Sequence, residues 1–156
     1  MRRKSYPEED NQSMLERQNL LIQGQKLKKA YDGAFHAIMA QYGLTRNEID
    51  VLLFLANNPG CETAAELVEL RGLAKSQVCK SVDDLTARGL LHGESDPADR
   101  RRVRLTLLPA AAPAAAAAQA AQQDFCRALY RGVTAEERAV LSSVFAKIDE
   151  NLRDFF

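Results

Sequence analysis

The segment from Thr63 to Leu107 decides the fold, and it reads TAAELVELRGLAKSQVCKSVDDLTARGLLHGESDPADRRRVRLTL. It opens with a capping box, in which Thr63 and Glu66 each satisfy a free backbone N–H at the start of a helix. That helix ends at Gly72, and a second helix runs over about 75–88. The apolar residues of the second helix share one face: Val78, Val82 and Leu85. Two helices joined by a tight glycine-containing turn predict a helix-turn-helix unit.

A β-hairpin is predicted directly after this unit. Residues 95–99 are turn formers, and from Arg102 onwards apolar and polar residues alternate. The apolar members of the alternation lie on one side: Val103, Leu105 and Leu107. The order of two helices followed by a hairpin predicts a winged helix within a mainly α fold.

Long helices are predicted before and after this winged helix along the chain. The first spans about Glu9 to Gln41, and an alanine-rich helix follows Pro109 and ends before Gly132. Two more capping boxes are present: Thr45 with Glu48 opens the helix that follows the first one, and Thr134 with Glu137 opens the last helix. That helix carries an apolar stripe: Leu141, Val144, Phe145, Ile148, Leu152 and Phe155. Because so short a chain has no other layer to cover the stripe, we expect a homodimer whose interface contains five of these residues: Leu141, Phe145, Ile148, Leu152 and Phe155.

Composition limits the class of protein. The 156 residues suit one domain, and the 21 basic residues balance the 21 acidic ones. The balance hides a basic centre, because the segment from Arg71 to Arg104 holds eight basic and five acidic residues. Such a centre favours a nucleic-acid partner. No apolar run is long enough for a membrane span, and no signal-peptide core is present, so we expect a cytoplasmic protein.

Catalytic and metal-binding patterns are absent from the sequence. The three cysteines include no CxxC pair, and only two histidines accompany them. There is no glycine-rich phosphate loop and no Ser–His–acid set. We therefore expect that the protein is not an enzyme and that it has neither a metal site nor a cofactor.

The chain resembles the multiple-antibiotic-resistance regulator (MarR) family of winged-helix transcription factors. The resemblance rests on the segments 72–78, 84–85 and 88–91, and on the wing segment 96–101 running into 104–107. It implies an N-terminal dimerisation helix over 1–43, a DNA-binding lobe over 44–108 and C-terminal dimerisation helices over 109–156, within one compact domain. It also implies a repressor that binds a pseudo-palindromic operator as a dimer and responds to a small-molecule effector.

Candidate DNA-binding residues lie on the second helix of the unit and at the wing tip. A helix of this kind presents its N-terminal polar residues to the major groove. The polar residues predicted to face outward and contact DNA are Lys75, Ser76, Gln77, Lys80 and Ser81. Wing arginines can enter a narrow minor groove, and the wing candidates are Asp99, Arg100, Arg101 and Arg102. The resemblance implies that one arginine enters the groove while the aspartate holds the other.

An effector cleft is a further candidate site. Its predicted lining is Tyr31, Phe35, Met39 and Phe54, although an aromatic stripe of this kind is more often core. Two alternatives to a DNA-binding regulator stay open: a winged helix that docks a protein, and a cysteine-based redox-responsive regulator. Cys79 lies on the second helix of the helix-turn-helix unit, but a cysteine at such a position is more often a small packing residue.

Overall fold

The computed structural model describes residues 8–60 and 62–155. Within these ranges the helices and strands form in this order: α1 (Glu8–Gly33), α2 (His36–Tyr42), α3 (Arg46–Asn57), α4 (Ala64–Arg71), α5 (Lys75–Ala87), β1 (Leu91–Ser95), β2 (Val103–Leu107), α6 (Ala112–Leu129) and α7 (Ala135–Leu152). Short 3₁₀ turns precede α6 at Pro109–Ala111 and follow α7 at Arg153–Phe155. The predicted mainly helical fold with a winged helix-turn-helix is confirmed.

Capping residues explain where several helices begin and end. The boxes at Thr45, Thr63 and Thr134 are all formed, with the threonine hydroxyl accepting from the third residue of the helix. In each box the glutamate three residues on accepts the threonine backbone N–H. Gly72 ends α4 in the left-handed conformation, at a φ of 62°, which glycine adopts without steric cost. These local signals set the turn of the helix-turn-helix.

The long N-terminal helix is interrupted, so the prediction of one helix over 9–41 is wrong. It ends at Gly33 as α1, and α2 begins at His36. Between them the N–H of Phe35 donates to the Asp32 carbonyl at 3.3 Å, a tighter turn than that of an α-helix. The apolar spacing continues through the break, and for that reason the sequence pattern did not reveal it.

The chain divides into two compact units, with the boundary between Gln123 and Asp124 inside α6. The first unit holds one apolar core to which α2, α3, α4, α5, both strands and the first half of α6 contribute. Its fully buried large side chains include Phe35, Phe54, Leu67, Leu85 and Leu105. Residues 19–30 of α1 in this unit are exposed throughout.

The second unit contains the end of α6 and the helix α7. No residue of α7 is buried. Its exposed apolar side chains include most of the predicted stripe: Leu141, Val144, Phe145 and Leu152, with Phe155 just beyond. Ile148 is half-buried. Across the helices described, none combines the length and the apolar content needed to cross a bilayer.

Candidate nucleic-acid interface

The first turns of α5 present polar side chains to solvent. Four of the residues predicted to face outward are exposed: Lys75, Ser76, Gln77 and Lys80. The opposite face of α5 is anchored in the core by Val78 and Leu85, which have no exposed surface. The packing of α5 against α3 and α4 therefore fixes which of its residues face outward.

Ser81 does not belong to the outward face. Only 4% of its surface is exposed, because it lies one turn after Val78 and one turn before Leu85 on the packed side of α5. The prediction that Ser81 faces outward is therefore wrong. A serine is small enough to sit in the core-facing row, and its polarity gave no indication of the direction in which it points.

Lys80 is paired within its own helix. Its Nζ donates to Oδ2 of Asp84 at 2.6 Å. This hydrogen bond, with the carboxylate charge, raises the pKa of Lys80 above its ordinary value of 10.5. Lys80 is therefore charged, but the nearby Asp84 carboxylate partly offsets that charge.

The wing tip is a loop held by two aspartates. The N–H of Asp96 donates to the Arg102 carbonyl at 2.8 Å, and the Arg102 N–H donates to the Asp99 carbonyl at 2.9 Å. The Asp99 carboxylate accepts from the backbone N–H of Arg101 at 3.0 Å, and that of Asp96 accepts from the N–H of Ala98. Asp99 thus supports the loop backbone, a role that the sequence pattern did not distinguish from holding a guanidinium.

The wing guanidinium groups are available to a ligand. Arg100, Arg101 and Arg102 are all exposed. None of the three forms a salt bridge with a carboxylate in the part of the chain that the structure describes. These guanidinium groups are therefore not held in internal ion pairs at the tip.

The wing is also tied to the start of α4. The N–H of Leu105 donates to the Glu62 carbonyl at 2.6 Å, and Thr63 pairs with Arg104 as an antiparallel bridge. The backbone N–H and the hydroxyl of Thr63 both donate to the Glu66 carboxylate at 2.8 Å. These two hydrogen bonds hold the pKa of Glu66 below its ordinary value of 4.5, and the bond from the backbone N–H has the larger effect. Backbone contacts therefore join the wing strand β2 to the residues that immediately precede α4.

A cavity of about 420 Å³ lies between α4, α5 and the wing. Its apolar lining includes Val68, Val78 and Val103, and three cationic residues, Lys75, Arg101 and Arg102, complete it. Cys79 also lines the cavity and is exposed rather than packed in the core. Sequence spacing did not reveal this cavity, because its walls come from three separate elements.

The predicted effector cleft is part of the core. Phe35 has no exposed surface and Phe54 has 1%, while Tyr31 and Met39 pack against the same core. The ring of Tyr31 meets that of Phe35 edge to face, with the centroids 5.0 Å apart. We therefore assign Phe35 and Phe54 to packing, since neither reaches solvent from the position that the structure gives it.

Comparison with known proteins shows a similarity to one family of regulators. The model of the MarR family matches residues 42–102, which span the helix-turn-helix and the wing tip. The uncharacterized HTH-type transcriptional regulator YsmB of Bacillus subtilis is 28% identical over 116 residues, covering 74% of this chain and 79% of YsmB. Over these residues the chain is similar to the MarR family.

Solved structures of MarR-type regulators share the fold. A MarR protein from Peptoclostridium difficile has a TM-score of 0.75 at 18% identity, covering 87% of this chain and 88% of that one. BpsR of Bordetella bronchiseptica, whose DNA binding is regulated by 6-hydroxynicotinic acid, has a TM-score of 0.67 at 21% identity, over 84% and 98% of the two chains. The matched family and the relative YsmB are transcriptional regulators and not enzymes, in agreement with the prediction. Within residues 8–60 and 62–155, no three His, Cys, Asp or Glu side chains are grouped as metal ligands.

Proposed function

We propose that this chain binds a pseudo-palindromic duplex operator in the cytoplasm as a homodimer and represses transcription by occupying it. The observation that carries the proposal is the unpaired arginine wing beside the exposed first turns of α5. Helix and wing belong to one packed lobe, so one α5 and one wing would engage neighbouring grooves of the same half-site.

The residues of the interface divide into two roles under this proposal. Gln77 would bond an adenine edge at two points, and Ser76 would bond a base or a phosphate. Arg100, Arg101 and Arg102 would contact phosphates and the minor groove, where the potential is most negative. Asp99 would shape the loop that presents them, through its bond to the Arg101 N–H.

Dimerisation would cover the exposed apolar side chains of α1 and α7. In α1 these are Leu20, Leu21, Ile22 and Leu27, and in α7 half of the Phe145 surface is exposed. A soluble monomer rarely leaves rows of this kind uncovered. We assign residues 1–43 and 109–156 to dimerisation and residues 44–108 to DNA binding, since two lobes are needed to read two half-sites.

Effector control would act at the cavity between α5 and the wing. Its volume of about 420 Å³ suits a small ligand, and its apolar walls with a cationic rim suit an aromatic carboxylate. BpsR, which shares the fold, responds to a ligand of that class. A ligand bound beside Lys75 and Arg101 would neutralise cations that DNA needs and would hold the wing away from the groove.

Selection of bound sequences from random duplex DNA tests the main proposal. We expect the purified protein to enrich a palindrome whose half-sites are about one helical turn apart. Recovery of no enriched palindrome at moderate salt would refute operator binding. A protein-docking winged helix would give that result.

A titration of the enriched operator with aromatic carboxylates, starting with 6-hydroxynicotinic acid, tests the effector site. We expect the active compound to release DNA from the parent protein but not from Val68→Phe, whose larger side chain would narrow the cavity and obstruct the ligand. Release that is equal in both proteins would place the effector elsewhere.

A further inference from the structure

The break between α1 and α2 is contacted by the side chain of Arg46 from another helix. Arg46 is the first residue of α3, and it reaches Tyr31 and Asp32 on one side of the break and Phe35 within it. These residues flank Gly33, where α1 ends. This cation therefore connects the end of the long helix to the DNA-binding lobe.

The contacts of Arg46 are both ionic and aromatic. Its Nε donates to Oδ1 of Asp32 at 3.1 Å, and its Nη1 lies 2.8 Å from Oδ1 of Asp50. The second contact is an ion pair without a hydrogen bond from Nη1, which is buried. The guanidinium carbon stands 4.3 Å from the ring centroid of Phe35 and 5.1 Å from that of Tyr31. Two carboxylates and two rings thus define the position of this guanidinium.

Burial makes this arrangement specific. The Arg46 side chain is 19% exposed and that of Asp50 is 15% exposed. A partly desolvated charge that loses one partner is costly, so the guanidinium resists leaving Asp32. By contrast, Lys28 pairs with the same carboxylate at 2.8 Å from within α1, and its side chain is 79% exposed. The Lys28 pair does not cross the break.

A small change of angle at the break would move the far end of α1 a long way. The 26 residues of α1 span about 39 Å at the usual rise per residue. A rotation of about 10° at Gly33 would therefore shift the other end by about 7 Å, on the order of two base-pair steps. A homodimer joined partly through α1 would transmit that shift to the separation of its two α5 helices.

We propose that Arg46 is a positioning residue that fixes the direction in which α1 leaves the DNA-binding lobe, and thereby sets the half-site spacing that the dimer accepts. The inference rests on the proposed function, since it requires a dimer that reads two half-sites. Arg46 itself does not contact DNA. Its action passes through the contacts with Asp32, Tyr31 and Phe35.

Operators with spacers lengthened or shortened one base pair at a time test the inference. The variant Arg46→Met keeps an unbranched side chain over the two rings and removes the charge. The matched control Lys28→Met removes the other cation beside Asp32 and leaves the break untouched. We expect parent and control to prefer one spacer, and Arg46→Met to lose about 2- to 30-fold of that preference. Affinity for a single half-site should stay unchanged, an outcome that general loss of stability would not produce.

A second measurement does not depend on DNA. Spin labels on Cys79 of both protomers, in a background of Cys61→Ser and Cys126→Ser, report the separation of the two α5 helices. We expect the distance distribution to broaden or shift by several Å in Arg46→Met and to stay unchanged in Lys28→Met. Failure of the parent protein to bind any palindrome would refute the proposed function while this distance still tests the role of Arg46.

A folded Arg46→Met dimer with the parent's spacer preference and the parent's distance distribution would overturn the inference. Should Arg46→Met fail to fold, Asp32→Asn takes its place, because it weakens the contact on the α1 side and leaves the ion pair of Arg46 with Asp50. An unchanged spacer preference and distance in a folded Asp32→Asn dimer would likewise overturn it.

Discussion

Removing two wing arginines, Arg100→Ala with Arg101→Ala, is expected to flatten the dependence of operator affinity on salt. Both guanidinium groups are exposed and make no ion pair with any described carboxylate, so each is free to neutralise a phosphate. The Asp99 carboxylate accepts from the backbone N–H of Arg101. The double substitution therefore leaves the loop's own hydrogen bonds in place.

The size of the effect follows from counting phosphates. Log affinity falls with log salt by about 0.9 for each phosphate neutralised on B-DNA. Two arginines in each of two protomers would reduce the slope by up to about 3.6 if all four lie on phosphates. If one arginine of each pair enters the minor groove and only the other lies on a phosphate, the reduction would be about 1.8.

Fluorescence anisotropy of the labelled operator between about 50 and 200 mM salt measures this slope. The matched control is Lys26→Ala with Lys29→Ala, which removes the same charge from exposed positions on α1. We expect the control to keep the parent's slope. An unchanged slope in the wing variant, or an equal loss in both variants, would show that the wing does not contact DNA.

Three further predictions concern the helix, the dimer and the cap of α4. Gln77→Ala should cost about 1–3 kcal/mol on the matched operator alone, and equal weakening on matched and mismatched duplexes in a competition assay would assign Gln77 to the backbone. Ile148→Glu with Leu152→Glu should place unpaired charge in the dimer interface, give a monomer or aggregate in sedimentation, and reduce operator affinity by about 10³-fold or more, towards non-specific binding. A well-folded monomer of that variant binding the full operator as tightly as the parent would refute the dimer mechanism. The pKa of Glu66 is depressed in the folded state, so its carboxylate contributes stability above pH 4.5 that is lost as pH falls through the folded pKa. Glu66→Gln should therefore be less stable than the parent at pH 7, and the gap should close in acid melts; a gap that is constant with pH would contradict this assignment.

The lobe was predictable because its signals are local. Each capping box lies within four residues, and each one predicted here is formed. The alternation after Arg102 fixed the strand β2, in which Leu105 is buried and Thr106 is exposed. Turn glycines such as Gly72 mark where a helix must end. Signals of this kind depend on neighbours along the chain, and tertiary contacts did not override them.

The features that were missed depend on tertiary contacts. The break after Gly33 is stabilised by Arg46 from the next helix but one, and apolar spacing carries no record of such a contact. Ser81 lies on the packed side of α5, although its polarity suggested the opposite. Phe35 and Phe54 were expected at a cleft, yet both complete the core. A stripe of aromatic residues identifies a face that is covered, but it does not say whether protein or ligand covers it.

The division of charge within the lobe indicates how affinity and specificity are separated. Helix α5 carries two lysines and two aspartates, and one pair, Lys80 with Asp84, is already bonded at 2.6 Å. The loop over 96–102 carries three arginines that make no ion pair with a described carboxylate, while its two aspartates accept backbone N–H groups. Under the proposed function, attraction to any duplex should come mainly through the wing, whereas α5 should add hydrogen bonds at particular bases. Such a regulator would move along DNA through non-specific wing contacts and would stop where Gln77 forms hydrogen bonds with its matching base. For that reason a ligand between α5 and the wing would disturb both roles at once.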